Sequence, residues 1–355
     1  MKRDVREFWN ERVRGLAPYT PGEQPRDQRF IKLNTNENPY PPSPLVVEAV
    51  KQAADDRLRL YPDPECWELR EAAAERFGVQ PEQVFVGNGS DEILAFAFGA
   101  FFADKILFPD VTYSFYPVYA RLWDVPFERP LLNDDFSINP GDYTKDAPHT
   151  GVVFPNPNAP TGRSMDVPTV LSIVKARKDS VVIVDEAYAA FSKENLSVAR
   201  FVTANPNLLT IHTLSKFASL AGLRVGFAIG DENLIEGLRR MRDSFNSYTV
   251  DRLAQAGAAA VMKDRAYYEY VIRKVVDTRE RVSTVLSSRG FEVIPSDANF
   301  LFVRCPSRKG EDFFAYLRER GILTRRFNEN RIADFLRVSI GTDSDMDIFL
   351  EACRE

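Results

Sequence analysis

The sequence predicts an α/β protein, with a large domain built on a mostly parallel sheet covered by helices on both faces and a smaller α+β domain after it. Three observations carry this expectation. At 355 residues the chain exceeds what one small core usually holds, so two closely packed domains are expected. Short apolar runs alternate with helix-like stretches between residues 84 and 232, as in parallel strands buried on both faces. Polar residues follow several of these runs directly, at the strand ends where open α/β sheets gather ligands.

Taken in order, the first 45 residues are loop-like, with Pro18, Pro21, Pro25, Pro39, Pro41, Pro42 and Pro44, and read as an arm lying over the rest of the protein. Helical patterns follow over 45–58 and 66–77, the second closed by Gly78. Then come a strand at 84–86, a buried helix at 93–102, a strand at 105–108 and a helix at 115–122. A strand at 151–154 and a helix at 167–176 precede strands at 180–184, 208–213 and 223–229, and a helix starts at Glu232. A long helical stretch over 266–289 ends before Gly290, and 291–294, 298–303, 313–319 and 336–340 form the smaller α+β unit. The expected division is an arm over 1–45, a large domain over 46–260 and a small domain over 261–355.

Composition removes several function classes. A net charge of −5 with both signs interspersed argues against a nucleic-acid or anionic-membrane binder. Residues 1–9 are charged and lack the apolar core of a signal peptide, and no apolar run approaches the ~20 residues of a membrane helix. Cys66, Cys305 and Cys353 are scattered and odd in number, which fits neither a disulfide framework nor a CxxC metal site and points to a reducing cytoplasm. With only His149 and His212 present, no metal site is expected. His149 in a polar turn and His212 in a strand both read as structural.

The chemistry concentrates after three strands. Residues 84–86 lead into Gly87-Asn88-Gly89-Ser90-Asp91-Glu92 and a helix. Glycines allow close backbone approach, and free N–H groups at a helix start favour a phosphate; a plain turn capped by Ser90 or Asp91 is the other reading. Neither GxxxxGK[ST] nor GxGxxG occurs, so nucleotide folds lose ground. After 181–184 comes Asp185-Glu186-Ala187-Tyr188. A carboxylate at the end of a buried strand is costly unless it faces a cation or several donors. A pyridinium nitrogen is such a cation; a helix N-cap and a metal ligand are the alternatives. After 208–213 comes Leu214-Ser215-Lys216, then Leu220-Ala221-Gly222-Leu223-Arg224. Desolvation in this apolar, small-residue segment lowers the lysine pKa and frees its amine for imine formation. Ser215 and Arg224 offer charge-assisted bonds to a phosphate dianion. The alternative is a loop lysine beside a structural arginine.

Further motifs run in series through Pro18-Tyr19, Leu33-Asn34-Thr35-Asn36-Glu37-Asn38, Tyr61-Pro62-Asp63-Pro64 and Thr112-Tyr113. Pro157-Asn158-Ala159-Pro160-Thr161-Gly162 and Arg337-Val338-Ser339-Ile340-Gly341-Thr342 complete them, and Arg224 stands eight residues after Lys216. In this order, over nearly the whole chain, the set resembles the fold-type I pyridoxal-phosphate (PLP) enzymes of the aspartate-aminotransferase superfamily, and within it the histidinol-phosphate aminotransferases. The resemblance implies a cytoplasmic homodimer with shared active sites that carries out ping-pong transamination. Its substrates would be L-histidinol phosphate and 2-oxoglutarate, its products imidazole acetol phosphate and L-glutamate, in histidine biosynthesis.

It also implies a role for each matching residue. Lys216 carries PLP as a Schiff base and shuttles the proton between the substrate Cα and C4′ of the cofactor. Asp185 pairs with the pyridine nitrogen, Tyr188 bonds the ring 3′-oxygen, and Tyr113 stacks on the ring. Ser90, Asp91, Ser215 and Arg224 cup the phosphate, which Tyr61 reaches across the dimer interface. Arg337 and Arg325 hold the anionic end of the substrate, unless Arg325 makes a surface ion pair. Tyr19 closes over the site, the arm packs on the small domain, and the small domain moves on substrate binding. One departure matters. The family places an Asn that binds the 3′-oxygen immediately before Pro-Thr-Gly, where this chain has Ala159. Either Asn158 substitutes through a local shift, or the bond is missing and Tyr188 carries more of the task. Threonine-phosphate decarboxylases and aromatic amino-acid aminotransferases share the same core residues. A PLP-binding transcriptional regulator needs an added DNA-binding domain for which the proline-rich arm is too short, and a dehydrogenase needs a glycine fingerprint that the chain lacks.

Overall fold

A computed structural model describes residues 5–24, 30–145 and 148–354. Residues 1–4 and 25–29 of the expected arm, and Asp146 and Ala147 of the expected turn before His149, lie outside the described residues. The strands in chain order are β1 (Ile31–Lys32), β2 (Val84–Gly87), β3 (Lys105–Leu107), β4 (Phe127–Glu128), β5 (Thr150–Pro155), β6 (Val182–Asp185), β7 (Leu208–Thr213) and β8 (Gly226–Gly230), then β9 (Glu292–Ile294), β10 (Phe300–Arg304), β11 (Ile322–Leu323), β12 (Arg325–Arg326) and β13 (Phe335–Ser339).

Strands β2 to β8 form one sheet in the order β2-β8-β7-β6-β5-β3-β4. It is parallel except for β8, which runs antiparallel to both β2 and β7. Every residue of β5, β6 and β7 is buried, because helices cover both faces, and this is why the strands read as continuous apolar runs rather than alternating ones. The helix Val167–Ala176 starts where Asp166 caps it through the Thr169 N–H, and the helix Glu232–Phe245 starts at its Asp231 cap. The sheet is therefore an α/β core of the expected class.

Local differences have local causes. The helical pattern over 45–58 breaks into Pro44–Ala53 and a 3-10 turn Asp56–Arg59, because Asp55 caps that turn through the Arg57 N–H. The strand expected from residue 223 begins only at Gly226; Ala221–Leu223 is a 3-10 turn and Arg224 stands in the left-handed region at φ 55°. An alanine-rich helix, Arg252–Lys263, capped by Asp251, lies between Glu232–Phe245 and Arg265–Ser288. It packs on Pro44–Ala53 and Trp67–Phe77, and residue 260, the expected end of the large domain, lies inside it.

Four of the remaining strands build a second sheet, β12-β13-β10-β9, antiparallel throughout, and β1 and β11 form a two-stranded sheet of their own. The arm joins this unit, since β1 pairs in parallel with β11, Ile31 opposite Ile322. The long helix Arg265–Ser288 ties the parts together through Arg279, whose side chain is almost fully buried. Its Nη1 donates to the carbonyl oxygens of Phe191 at 3.0 Å and Ala298 at 2.9 Å. Those carbonyls follow the β6 loop and precede β10, so one guanidinium fixes both flanks of the cleft. Replacing Arg279 with Met leaves two buried carbonyls without a donor, which is expected to cost roughly 2–5 kcal/mol. Chemical denaturation of Arg279→Met checks this; a loss below about 0.5 kcal/mol, the range of an ordinary surface change, would contradict it.

Candidate active site

Strands β2, β5, β6 and β7 point their carboxyl ends to one edge of the large sheet, and β8, running the other way, starts there. Gly226 pairs with Gly87 on one side and Thr213 on the other. Ser90 and Asp91, Ala159, Tyr188, Ser215 and Lys216, and Arg224 therefore meet around one cavity of about 310 Å³. Thr35, Asn36 and Glu37 of the arm and Arg325 and Arg337 of the small unit complete its wall, as does Tyr19. The backbone is tight here: a Cβ on Gly226 would lie 2.5 Å from the Ser90 nitrogen, so only glycine fits.

Lys216 projects from a loop pinned by Leu214 N–H donating to the Val225 carbonyl and Leu220 N–H to the Leu214 carbonyl, each 3.0 Å. Its Nζ donates to the Thr35 carbonyl at 3.0 Å. Burial pulls this amine down to about 8, and the Arg337 guanidinium acts in the same direction. Across the cavity Asp185 is buried. Its Oδ1 accepts from the Ala187 N–H and its Oδ2 from the Tyr116 hydroxyl, both at 3.1 Å. Burial nevertheless raises its carboxyl to about 6, so the site favours a cationic partner for it. Burial likewise raises the Tyr188 phenol. That hydroxyl accepts from Asn36 Nδ2 at 3.0 Å, and the ring sits edge-on to Phe300 at 5.1 Å.

Two groups of residues in the cavity wall are set up for anions. Arg224 Nη1 donates to Ser215 Oγ at 3.4 Å and its Nη2 to Asp91 Oδ2 at 3.1 Å. The other Asp91 oxygen accepts from the Tyr113 hydroxyl at 2.7 Å. With its carboxylate engaged, Asp91 can offer a phosphate its backbone N–H at the start of the helix Gly89–Phe101. In the small sheet Arg325 pairs directly with Arg337 across β12 and β13, a like-charge pair that is unfavourable without an anion between. Arg337 Nη2 donates to the Asn34 carbonyl at 3.0 Å, but its Nε is buried with no partner. Arg325 Nη2 donates to the Thr20 carbonyl at 3.1 Å. Tyr19 stacks on Phe115 with ring centroids 4.2 Å apart.

The structure thus brings together Lys216, Asp185, Tyr188, Ser90, Asp91, Tyr113, Ser215, Arg224, Tyr19, Arg325 and Arg337. Two residues lie apart. Tyr61 is 78% exposed and stacks on Tyr248 at 4.5 Å, outside the cavity of its own chain. Asn158 is fully buried but turned away. Its Nδ2 donates to the Val111 carbonyl at 2.9 Å and Thr161 Oγ1 at 3.0 Å, and its Oδ1 accepts from Thr112 at 3.0 Å. The loop faces the cavity with Ala159 instead, so the local shift that would let Asn158 substitute is absent. Sequence reasoning gave Asn36, Glu37 and Tyr116 no task; the polar run 34–38 in an otherwise proline-rich arm was the available signal for the first two. His212 is confined to the core, stacked on Phe227 at 4.8 Å, with burial pulling its imidazole down to about 3.

An amine of lowered pKa, a buried carboxylate suited to a protonated ring nitrogen, a phenol and a phosphate cup fit a planar phosphorylated aldehyde of the pyridoxal type. Comparison with known proteins agrees. Residues 28–353 match the family aminotransferase class I and II. A histidinol-phosphate aminotransferase of Clostridium acetobutylicum is 53% identical over 350 residues, 98% of each chain. One of Pseudomonas entomophila is 51% identical over 348 residues, covering 97% of this chain and 99% of its own. Among solved structures, the Sinorhizobium meliloti histidinol-phosphate aminotransferase in complex with pyridoxal-5′-phosphate superposes with a TM-score of 0.85 at 23% identity, over 98% of this chain and 96% of that one. A Thermus thermophilus aspartate aminotransferase variant gives 0.83 at 20% identity over 98% of each; at such identity both show the shared fold-type I architecture. The match over nearly the whole length, on a fold and a cavity of this chemistry, establishes that the chain belongs to the class I and II aminotransferases.

Proposed function

We propose that this aminotransferase moves the amino group of L-histidinol phosphate to 2-oxoglutarate, giving imidazole acetol phosphate and L-glutamate, as a PLP-dependent step of histidine biosynthesis. The observation that carries the donor is the Arg325–Arg337 pair with its unpartnered Arg337 Nε. Two guanidiniums facing one cavity suit a doubly charged phosphate on the amine donor, and equally the two carboxylates of a dicarboxylic 2-oxo acid acceptor. The names of the relatives at about 50% identity support the same reading.

PLP, when bound, supplies an aldehyde that condenses with amines and a pyridinium ring that takes up electrons. The residues of the chain do the rest. Asp185 holds the proton on the ring nitrogen. Arg224, Ser215 and the N–H groups at Ser90 and Asp91 hold the phosphate. Lys216 Nζ, with its pKa near 8, is neutral often enough at physiological pH to take a proton from the substrate Cα and return it. Tyr188 bonds the ring oxygen, Tyr113 stacks on the ring, and Tyr19 closes over the site from the arm and shields it from water. Sharing the two arginines between donor and acceptor accounts for a ping-pong order.

A homodimer completes this reading. Leu58, Leu60, Tyr61, Trp67, Phe245 and Tyr248 are all exposed, Phe245 at 80%, and exposed large apolar side chains such as the stacked Tyr61 and Tyr248 suit a partner surface. Tyr61, exposed and outside the cavity of its own chain, would serve the partner's site in such a dimer. Among the described residues no helix is long and apolar enough to cross a membrane, and all three cysteines are free and buried, which supports a reducing cytoplasm.

With PLP, the chain is expected to form glutamate from histidinol phosphate and 2-oxoglutarate, and to release no carbon dioxide from threonine phosphate. Arg337→Leu should lower kcat/KM for histidinol phosphate by roughly 10–150-fold, the worth of one bond to a charged group, and much less for an unphosphorylated amine. Equal loss for both donors contradicts the anion role. Light scattering should give a dimer for the wild type and a monomer for Phe245→Glu, with weakened PLP retention; a monomeric, fully active wild type contradicts the shared site.

A further inference from the structure

Among the described residues, the Tyr188 hydroxyl has one side-chain hydrogen-bond partner, and it comes from the arm. Asn36 Nδ2 donates to it at 3.0 Å. Asn36 is buried and stands in the left-handed region at φ 57°, which asparagine tolerates better than most residues. Its amide has no freedom to flip. The Asn36 N–H donates to Ser339 Oγ at 2.8 Å, and the single Ser339 proton is given to Asn36 Oδ1, also at 2.8 Å. With Oδ1 occupied as an acceptor, Nδ2 must face the phenol. Asn299 Nδ2 clamps the Asn36 carbonyl at 3.0 Å.

The other flank of the phenol offers no donor. Ala159, Ala298 and Phe300 pack around Tyr188, and the Asn158 amide is spent on Val111 and Thr161. An N–H aimed at the phenol oxygen occupies an acceptor position. It leaves the hydroxyl proton to point into the cavity and makes that hydroxyl a stronger donor, since bonds in a chain polarise one another.

We propose that Asn36 is a positioning residue for amino transfer, acting through Tyr188: it turns the phenol O–H toward the ring oxygen of the bound cofactor and strengthens the bond made there. This rests on the PLP reading given above. The construction also links two parts of the site. Ser339, which sets the Asn36 amide, lies on β13 two residues from Arg337, so the strand that presents the substrate's anion contact also holds the donor that polarises Tyr188.

The test is a pH titration of the visible absorption of the PLP-loaded protein. Removing the donor weakens the Tyr188 bond to the ring oxygen and stabilises its anion less, so the midpoint of the band should rise. In Asn36→Ala the rise should be roughly 0.5–1 pH unit, the equivalent of one hydrogen bond of ordinary strength. Asn36→Asp keeps the left-handed backbone and the Ser339 bond but puts an acceptor against the phenol, so its midpoint should rise at least as far, and it guards against misfolding of the alanine variant. The Asn36→Ala shift should vanish in a Tyr188→Phe background, where there is no hydroxyl to direct. A midpoint unchanged in both Asn36 variants, or an equal Asn36→Ala shift with and without the Tyr188 hydroxyl, overturns this inference while the wild-type band stands. A wild type that shows no band on adding PLP overturns the PLP reading and this inference with it.

Discussion

A primary amine held away from water is a poor place for a positive charge, and the site is arranged around that fact. Lys216 stands at the end of a fully buried strand, with Nζ against the Thr35 carbonyl and the Arg337 guanidinium nearby. Withdrawal of water and a like charge both favour the neutral amine, the form that attacks a carbonyl carbon. The sheet topology makes the withdrawal feasible: because β8 reverses direction, it starts beside the end of β7, and the lysine loop between them is closed by the Leu214 N–H bond to the Val225 carbonyl. If the loop loosened, water would reach Nζ and the amine would revert to an ordinary ammonium.

The same cavity holds opposite charge preferences in different parts of its wall without neutralising either. Asp185 is buried at the sheet edge among a backbone N–H and a tyrosine hydroxyl, too few donors to restore an ordinary carboxylate, so it calls for a cation. Arg325 and Arg337 face each other across an antiparallel pair and call for an anion. A ligand set that is cationic at one end and anionic at the other satisfies both. Cofactor and substrate thereby stabilise a protein that folding leaves incompletely compensated, which is the ordinary condition of a binding site. The arm is part of this arrangement through β1, Thr35 and Asn36 rather than a loose covering.

What could be read from the sequence follows from where the information sits. Strand ends are local features: an apolar run followed by Asp185, or by Ser215 and Lys216, announces both the strand and the chemistry beyond it, and the helix from Glu232 is marked by its own cap. Register across a sheet is not local, so the direct pairing of Arg325 with Arg337 had no signature of its own. Nor did the direction of Asn158, which depends on which of two adjacent residues the loop turns inward; packing gave that place to Ala159. Tyr116 was read as part of a helix, which it is, yet its hydroxyl reaches Asp185 only because Phe98 and Phe108 pack its ring into the core. The Arg252–Lys263 helix was missed although a local start signal was there to read, Asp251, which accepts from the Leu253 and Ala254 N–H groups.

Among the described lysines, the amine of residue 216 stands apart because it is desolvated. Borohydride trapping of PLP at pH 8, followed by peptide mapping, tests it most directly. An amine titrating near 8 is about half neutral there, while ordinary lysines are less than about 1% neutral. One equivalent of reduced PLP is expected on the peptide containing Lys216 and none in Lys216→Ala. A label spread evenly over surface lysines, or a Lys216→Ala protein that still takes up one equivalent and transfers amino groups, would contradict it.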